Sequence, residues 1–246
     1  SSDCPNRVLE GRPVQWRPMK LLALETSTEM GSCALWLDGR VLVRNCPSGR
    51  PHSETLLPLV QELLQEAGAV LPDLDAIAFG SGPGAFTGLR VACGAAQGLA
   101  VGAGVPLVAV GSLDALAWRA GGDAVLALVD ARMEEVYWGA FRRIGGDVEL
   151  VDALGVASPD VLDLPEGFWQ AAGNALIAYP GLAGRASAAG YALDANLFPD
   201  AEAVAALAVQ RFPRQGGIDP AEAAPRYVRN KVARTVAERL AAGGRA

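Results

Sequence analysis

The stretch best suited to chemistry runs from Gly80 to Arg90 and reads G-S-G-P-G-A-F-T-G-L-R. It falls between a strand-like and a helix-like run, so its backbone amides can form an anion-binding nest at a helix N-terminus. It is not a P-loop, because no G-K-[ST] follows to supply the phosphate lysine and the magnesium hydroxyl. Nor is it a dinucleotide fingerprint. A plain tight turn accounts for the same glycines.

The remaining inventory is narrow. His52 is the single histidine, so no two-histidine metal site can be assembled. It reads better as a helix-start residue than as a ligand, although one histidine leaves a Ser-His-Asp arrangement open. Cys4, Cys33, Cys46 and Cys93 form no C-x-x-C pair, which points to free thiols in a reducing compartment. No G-x-S-x-G elbow and no H-E-x-x-H helix is present.

Past the loop, Gly94, Gly98 and Gly102 recur every four residues and so share one helix face. Each costs a helix interior about 1 kcal/mol relative to alanine. A compensating close approach of another backbone is therefore expected. Either the sheet or first helix of the same lobe, or a helix of another subunit, can supply it.

The elements that position these residues follow from periodicity. Lys20–Thr26 suits a central strand, and Ser32–Leu37 and Val41–Asn45 flank Asp38-Gly39, a strong hairpin signal. A helix over Ser53–Ala67 places Leu56, Val60, Leu63, Leu64 and Ala67 on one face, with Leu57 and Leu59 widening the apolar surface. Asp75–Phe79 is a strand, Gly80–Gly88 the glycine loop, Thr87–Gly102 a helix and Val105–Val110 a buried strand. The order βββαβαβ is the ribonuclease-H-like unit, whose parallel strands need helical crossovers. A looser second half has a helix at Asp114–Arg119 and strands at Val125–Asp130, Glu135–Arg142, Val148–Val151 and Phe168–Ala172. Helices over Pro199–Phe212 and Lys231–Ala242 close the chain. The expected fold is thus α/β, with two ribonuclease-H-like lobes, mixed five-stranded sheets and flanking helices, the second lobe degenerate. The lobes are expected over 19–112 and 113–226, with 227–246 a C-terminal helix that can pack back on the first lobe.

Of the 246 residues, 51% are hydrophobic and 20% charged, which suffices for a core without metals or disulfides. The net charge is −6, poorly suited to holding nucleic acid alone. From Gln210 onward the balance reverses: Arg211, Arg214, Arg226, Arg229, Lys231, Arg234, Arg239 and Arg245 face only Asp219, Glu222 and Glu238. A solvated helix and an RNA-facing edge within a larger complex both fit that run. Residues 1–18 carry Arg7, Arg12 and Arg17 without an apolar stretch, so no export signal is read there. They are taken as an extension, disordered or non-native, with Met19 the natural start. The uncharged span between Arg90 and Asp114 is long enough for a bilayer. Its glycines, Gln97 and Pro106 favour a buried helix followed by a buried strand.

L-L-A-L-E-T-S-T (Leu21–Thr28), the Gly80–Arg90 loop and V-A-C-G-A-A-Q-G-L-A (Val91–Ala100) closely resemble the TsaB family, formerly YeaZ. A-P-R-Y-V-R (Ala224–Arg229) is similar to a motif near that family's C-terminus. Ala85 stands where the family's loop would have serine, so no hydroxyl acts there.

The resemblance implies membership of the actin-like ATPase superfamily and kinship with TsaD. TsaD is the metalloenzyme that transfers a threonylcarbamoyl group onto the adenosine beside the tRNA anticodon. The chain would be TsaD's cytoplasmic, non-catalytic scaffold, pairing through first-lobe helices, with the ATPase TsaE joining and TsaC or a relative making the adenylate. TsaD-like enzymes hold their metal with two histidines on a first-lobe helix and an aspartate, whereas here His52 has no second histidine. No catalytic residue and no metal site is therefore expected. The expected interface comprises Leu56, Leu59, Val60, Leu63, Gly94, Gly98 and Gly102. Glu25-Thr26-Ser27 lies where actin-like ATPases bend around nucleotide phosphate. Thr26, Ser27, Gly82 and Gly84 are vestigial candidates for such contact, with ATP or ADP expected only at an interface with partners. Transfer RNA would be met through the complex, a homodimer would form without TsaD, and no membrane is involved. A free-standing nucleotide-binding ATPase or a glycoprotease-like enzyme is the alternative.

Overall fold

The computed structural model describes residues 19–167 and 169–228 of the chain. The expected extension at 1–18 and the helix at Lys231–Ala242 lie outside those residues.

The first sheet contains β1 (Lys20–Glu25), β2 (Ser32–Leu37), β3 (Arg40–Asn45), β4 (Ala76–Gly82) and β5 (Leu107–Gly111), ordered β3-β2-β1-β4-β5. Strand β1 pairs antiparallel with β2 and parallel with β4, so both its edges are paired, and both its faces are buried in cores. That explains its nearly continuous apolar run. Leu22 and Leu24 face one core, together with Leu35, Ile77 and Phe79. The alternate residues Leu21 and Ala23 face another, with Ala34, Ala78 and Val110.

Two helices cover the first of these faces, α1 (His52–Ala67) and α2 (Phe86–Ala103). Gly68 and Gly104 close them in the left-handed conformation that favours glycine. Pro58 lies in the second turn of α1, beyond the first-turn position where proline is most easily tolerated.

The second sheet contains β6 (Ala124–Arg132), β7 (Glu135–Ile144), β8 (Asp147–Leu150), β10 (Gln170–Ala172) and β11 (Ala192–Asp194), with β9 (Gly155–Ala157) pairing on β7. One face carries α4 (Ala175–Ala178) and α5 (Pro180–Ala188) through Leu176, Leu182 and Ala186. The opposite face joins α3 (Ser112–Ala120) and α6 (Ala201–Gln215) in a core shared with the first sheet. The layers are therefore helix, sheet, helix, sheet, helix: two mixed sheets with flanking helices, as expected, although the second sheet has six strands rather than five because β9 adds to β7. The strands β9 and β11 and the helix α4 escaped the sequence reading because three or four residues carry no period, and α5 escaped it because Leu182 and Ala186 are its only buried positions.

Helix α6 follows the second sheet in sequence but packs against β1, β2, β4 and β5 of the first. Beyond it, Ile218 pairs antiparallel with Leu107, and the Arg226 amide donates to the Ser81 carbonyl at 2.6 Å. Residues 201–226, expected in the second lobe, thus complete the first. Arg211 of α6 ties this return together, donating to Asp114 on α3 and to Asp147 on β8 at 2.8 Å each. Burial pushes the Asp114 carboxyl above its ordinary range while Arg211 pulls it down.

The glycine loop is shorter than expected. Strand β4 continues through Gly82 and α2 begins at Phe86, leaving Pro83–Ala85 between them. Ser81 holds the strand in place by donating its hydroxyl proton to the Val110 carbonyl at 3.0 Å.

Candidate functional site

A cleft of about 710 Å³ opens between the two sheets. Its walls are the β1–β2 turn (Thr26–Glu29), the start of α1, the β4–α2 corner, the β6–β7 hairpin and Arg226–Val228 of the returning chain. Thr26, Ser27 and Gly84 line it, whereas Gly82 does not.

The two turns at its base are locked onto each other. The Thr26 hydroxyl donates to the Gly88 carbonyl at 2.8 Å, and the Ala85 amide donates to the Ser27 carbonyl at 2.7 Å. A Cβ at Gly84 would overlap Ser27, and one at Gly88 would overlap the Thr26 carbonyl. Glycine is required at both positions by close backbone approach.

Glu25 points away from the cleft into the protein. Its carboxylate accepts from the Ser27 amide at 2.6 Å and the Ser112 hydroxyl at 2.9 Å, and a Cβ at Gly80 would overlap it. Burial pushes this carboxyl above the ordinary carboxylate range, while Ser27 and Ser112 pull the other way. Glu25 is therefore a buried brace for the turn rather than a neighbour of a bound phosphate.

These bonds bear on nucleotide binding. The amides of Ser27 and Ala85 are already engaged within the chain, and so is that of Gly82, which donates to the Ser112 hydroxyl at 3.2 Å. Glu29 and Asp130 add carboxylates to the cleft wall, and no lysine lines it among the described residues. These three amides are thus withheld from a bound phosphate, which leaves the first turn of α2 as the remaining backbone donors at the cleft.

Opposite them, Asp130 accepts from the Tyr179 hydroxyl at 2.9 Å and the Arg132 amide at 2.9 Å, and pairs with the Arg132 guanidinium at 3.0 Å. Burial and Asp130 together raise the Tyr179 hydroxyl pKa to about 12. Arg132, Met133 and Glu134 all have positive φ, an uncommon state for three consecutive non-glycine residues. Asn174 spans the cleft, accepting from the Asp130 amide at 2.9 Å and donating to Glu29 at 3.3 Å. In the sequence Asp130 ended an expected strand, and Tyr179 and Asn174 carried no local signal.

His52 is the first residue of α1, as expected, and its Nε2 lies 2.9 Å from the Thr28 carbonyl. Among the described residues no cluster of three metal-ligating side chains occurs. The buried thiols are poor nucleophiles: burial raises Cys33 to about 12 and shifts Cys46 and Cys93 the same way.

The expected interface residues divide. Leu56, Val60 and Leu63 are 1%, 2% and 0% exposed and belong to the core beneath α1, so they cannot meet a partner. Leu59 is half-buried against the same core, and Leu57, which the sequence reading used only to widen the face, is 46% exposed. Gly94, Gly98 and Gly102 are all exposed, and a Cβ built at any of them meets nothing within 4 Å among the described residues. The stripe therefore packs on neither the sheet nor α1. The buried side of α2 is instead Leu89, Ala92, Cys93, Ala96 and Ala100.

Comparison with known proteins is consistent with this architecture. The family model described as TsaD, tRNA N6-adenosine threonylcarbamoyltransferase, matches residues 47–172. The tRNA threonylcarbamoyladenosine biosynthesis protein TsaB of Escherichia coli is 39% identical over 228 residues, covering 87% of this chain and 96% of that protein. The protein of the same name from Haemophilus influenzae is 45% identical over 124 residues, covering 49% of this chain and 52% of its own length. The solved structure of YeaZ from Pseudomonas aeruginosa is 41% identical with a TM-score of 0.77, covering 85% of this chain and 99% of that one. With its helix-layered mixed sheets and this extent of identity, the chain belongs to the TsaB (YeaZ) family of the actin-like ATPase superfamily.

Proposed function

We propose that this chain serves tRNA threonylcarbamoyladenosine biosynthesis as a non-catalytic scaffold that pairs with a TsaD-like catalytic subunit and brings in a TsaE-like ATPase. The observation that carries the pairing is the glycine stripe of α2. Three glycines lower helix stability by roughly 3 kcal/mol in total if their costs add. Among the described residues, no group approaches the faces they leave bare. A surface kept free of side chains on a long helix admits another helix at short distance, as small-residue ridges do elsewhere. Val101, 70% exposed, and Leu57 on α1 supply apolar area beside it.

The non-catalytic role is supported by the shielded thiols, by the single histidine held at the start of α1 and by an Asp130 carboxylate already satisfied by Tyr179 and Arg132. ATP or ADP belongs, in this reading, at an interface with partners, since the turns at the cleft base engage their own amides. Alone, the chain pairs with a second copy through the same stripe. The working compartment is the cytoplasm, consistent with buried free cysteines, and no described helix is long and apolar enough to cross a membrane.

Light scattering after size exclusion tests the proposal, with the chain alone and mixed with the matching TsaD-like protein. A one-to-one complex that replaces a homodimer is expected, and Gly98→Leu should abolish it while thermal unfolding stays cooperative. Two unmixed peaks at micromolar concentration, or a Gly98→Leu protein that pairs normally, would overturn it.

A further inference from the structure

The outer ridge of α2 does not end at Gly94. One and two turns before it stand Arg90 and Phe86, both exposed, and Phe86 lines the interlobe cleft. The Arg90 guanidinium lies 3.8 Å from the Phe86 ring centroid. The returning chain places Tyr227 alongside, its ring 5.5 Å from that of Phe86 and its hydroxyl accepting from Arg90 Nε at 3.1 Å. Phe86 and Tyr227 nevertheless remain 41% and 46% exposed. Two half-exposed rings and a flat guanidinium thus stand together at the cleft mouth.

Arginines gather around them on a chain of net charge −6, beside the Glu29 and Asp130 carboxylates of the same cleft. Arg50, Arg132 and Arg226 line the adjoining wall. Arg50 pairs with Glu54 and Arg132 with Asp130. Arg90 and Arg226 form no ion pair within 4 Å among the described residues. Arginine interleaved with exposed aromatic rings is the chemistry that holds unstacked bases and their phosphates.

We infer that Phe86, Arg90, Arg226 and Tyr227 form an RNA contact, stacking an unpaired base on the rings and meeting its backbone with the two arginines. The inference rests on the scaffold reading above, because that reading brings RNA to the complex, and it assigns part of the RNA surface to this chain. The A-P-R-Y-V-R motif gains a purpose: its backbone straps β4 through Ser81, which presents Arg226 and Tyr227 at the rim.

The test uses the complex with the TsaD-like subunit and a fluorescently labelled RNA hairpin with an unpaired loop, followed by anisotropy at several salt concentrations. Phe86→Ala combined with Arg90→Ala should weaken binding roughly tenfold or more, and Arg226→Gln should reduce the salt dependence. Phe86→Tyr should retain affinity. Light scattering on the same samples reports whether the subunits still pair. Weakened RNA binding by an intact complex supports the inference. Unchanged RNA affinity in an intact complex overturns it and leaves the scaffold reading standing. Loss of pairing by the double variant also overturns it, by making the patch a protein interface.

Discussion

Gly80, Gly84 and Gly88, in and beside the β4–α2 corner, have no room for a side chain, whereas Gly94, Gly98 and Gly102 on the helix that follows meet nothing within 4 Å. The first set is fixed by its own chain: the Glu25 carboxylate, Ser27 and the Thr26 carbonyl fill the space a Cβ would need. The second set has no such reason among the described residues, and the scaffold reading assigns its cause to a partner. Glycine thus records two different pressures within one short motif. Only neighbouring atoms tell close internal packing apart from a surface kept clear for a partner.

The sharpest way to break this contrast is substitution by alanine in each set. Gly88→Ala should lower stability by about 3 kcal/mol, because the new methyl must displace backbone rather than a flexible side chain. Denaturant unfolding measures it, and a loss within experimental error would remove the internal half of the comparison. Gly98→Ala should act in the opposite direction. Restoring helix propensity at an exposed site should stabilise the isolated chain by about 1 kcal/mol, which corresponds to roughly 3 °C in Tm for a chain of this size. A destabilised Gly98→Ala would mean that the stripe is packed after all.

The smallest effect sharpens the Gly80 position, which is shaped around Glu25. The Glu25 carboxyl is raised by burial above its ordinary value of 4.5. Between that value and the raised one, the native state binds more protons than the unfolded chain. Stability is therefore fully present below the unfolded value and is lost as pH rises through the folded one. Glu25→Gln should flatten this decline in unfolding midpoints measured from pH 4.5 towards neutrality. Asp114, raised in the same direction, keeps some slope in the variant. An unchanged profile would show that Glu25 does not titrate in this way.

Much of the fold was legible because its signals are local. The Asp38-Gly39 turn, the doubly buried β1, the amphipathic α1 and the Ala-rich α6 each show period or turn chemistry within a few residues. The Gly80–Arg90 and Leu21–Thr28 motifs pointed to the family that identity over most of the chain then showed. The site was less legible. Leu56, Val60 and Leu63 mark an amphipathic face correctly, yet periodicity does not say whether that face meets a sheet or a partner, and here it meets the sheet. Asn174 and Tyr179 reach Asp130 from far along the chain, a proximity that no spacing encodes.

By itself the sequence determined the longer elements, their order and the family, since backbone propensity, hydrophobic period and motif identity are properties of neighbours along the chain. The tertiary structure alone decided that α6 and the segment after it complete the first sheet rather than the second. It also decided that Glu25 is a brace, and that the glycines of α2 face outward. Each of these turns on which surfaces exclude water together, and that depends on contacts between residues far apart in sequence.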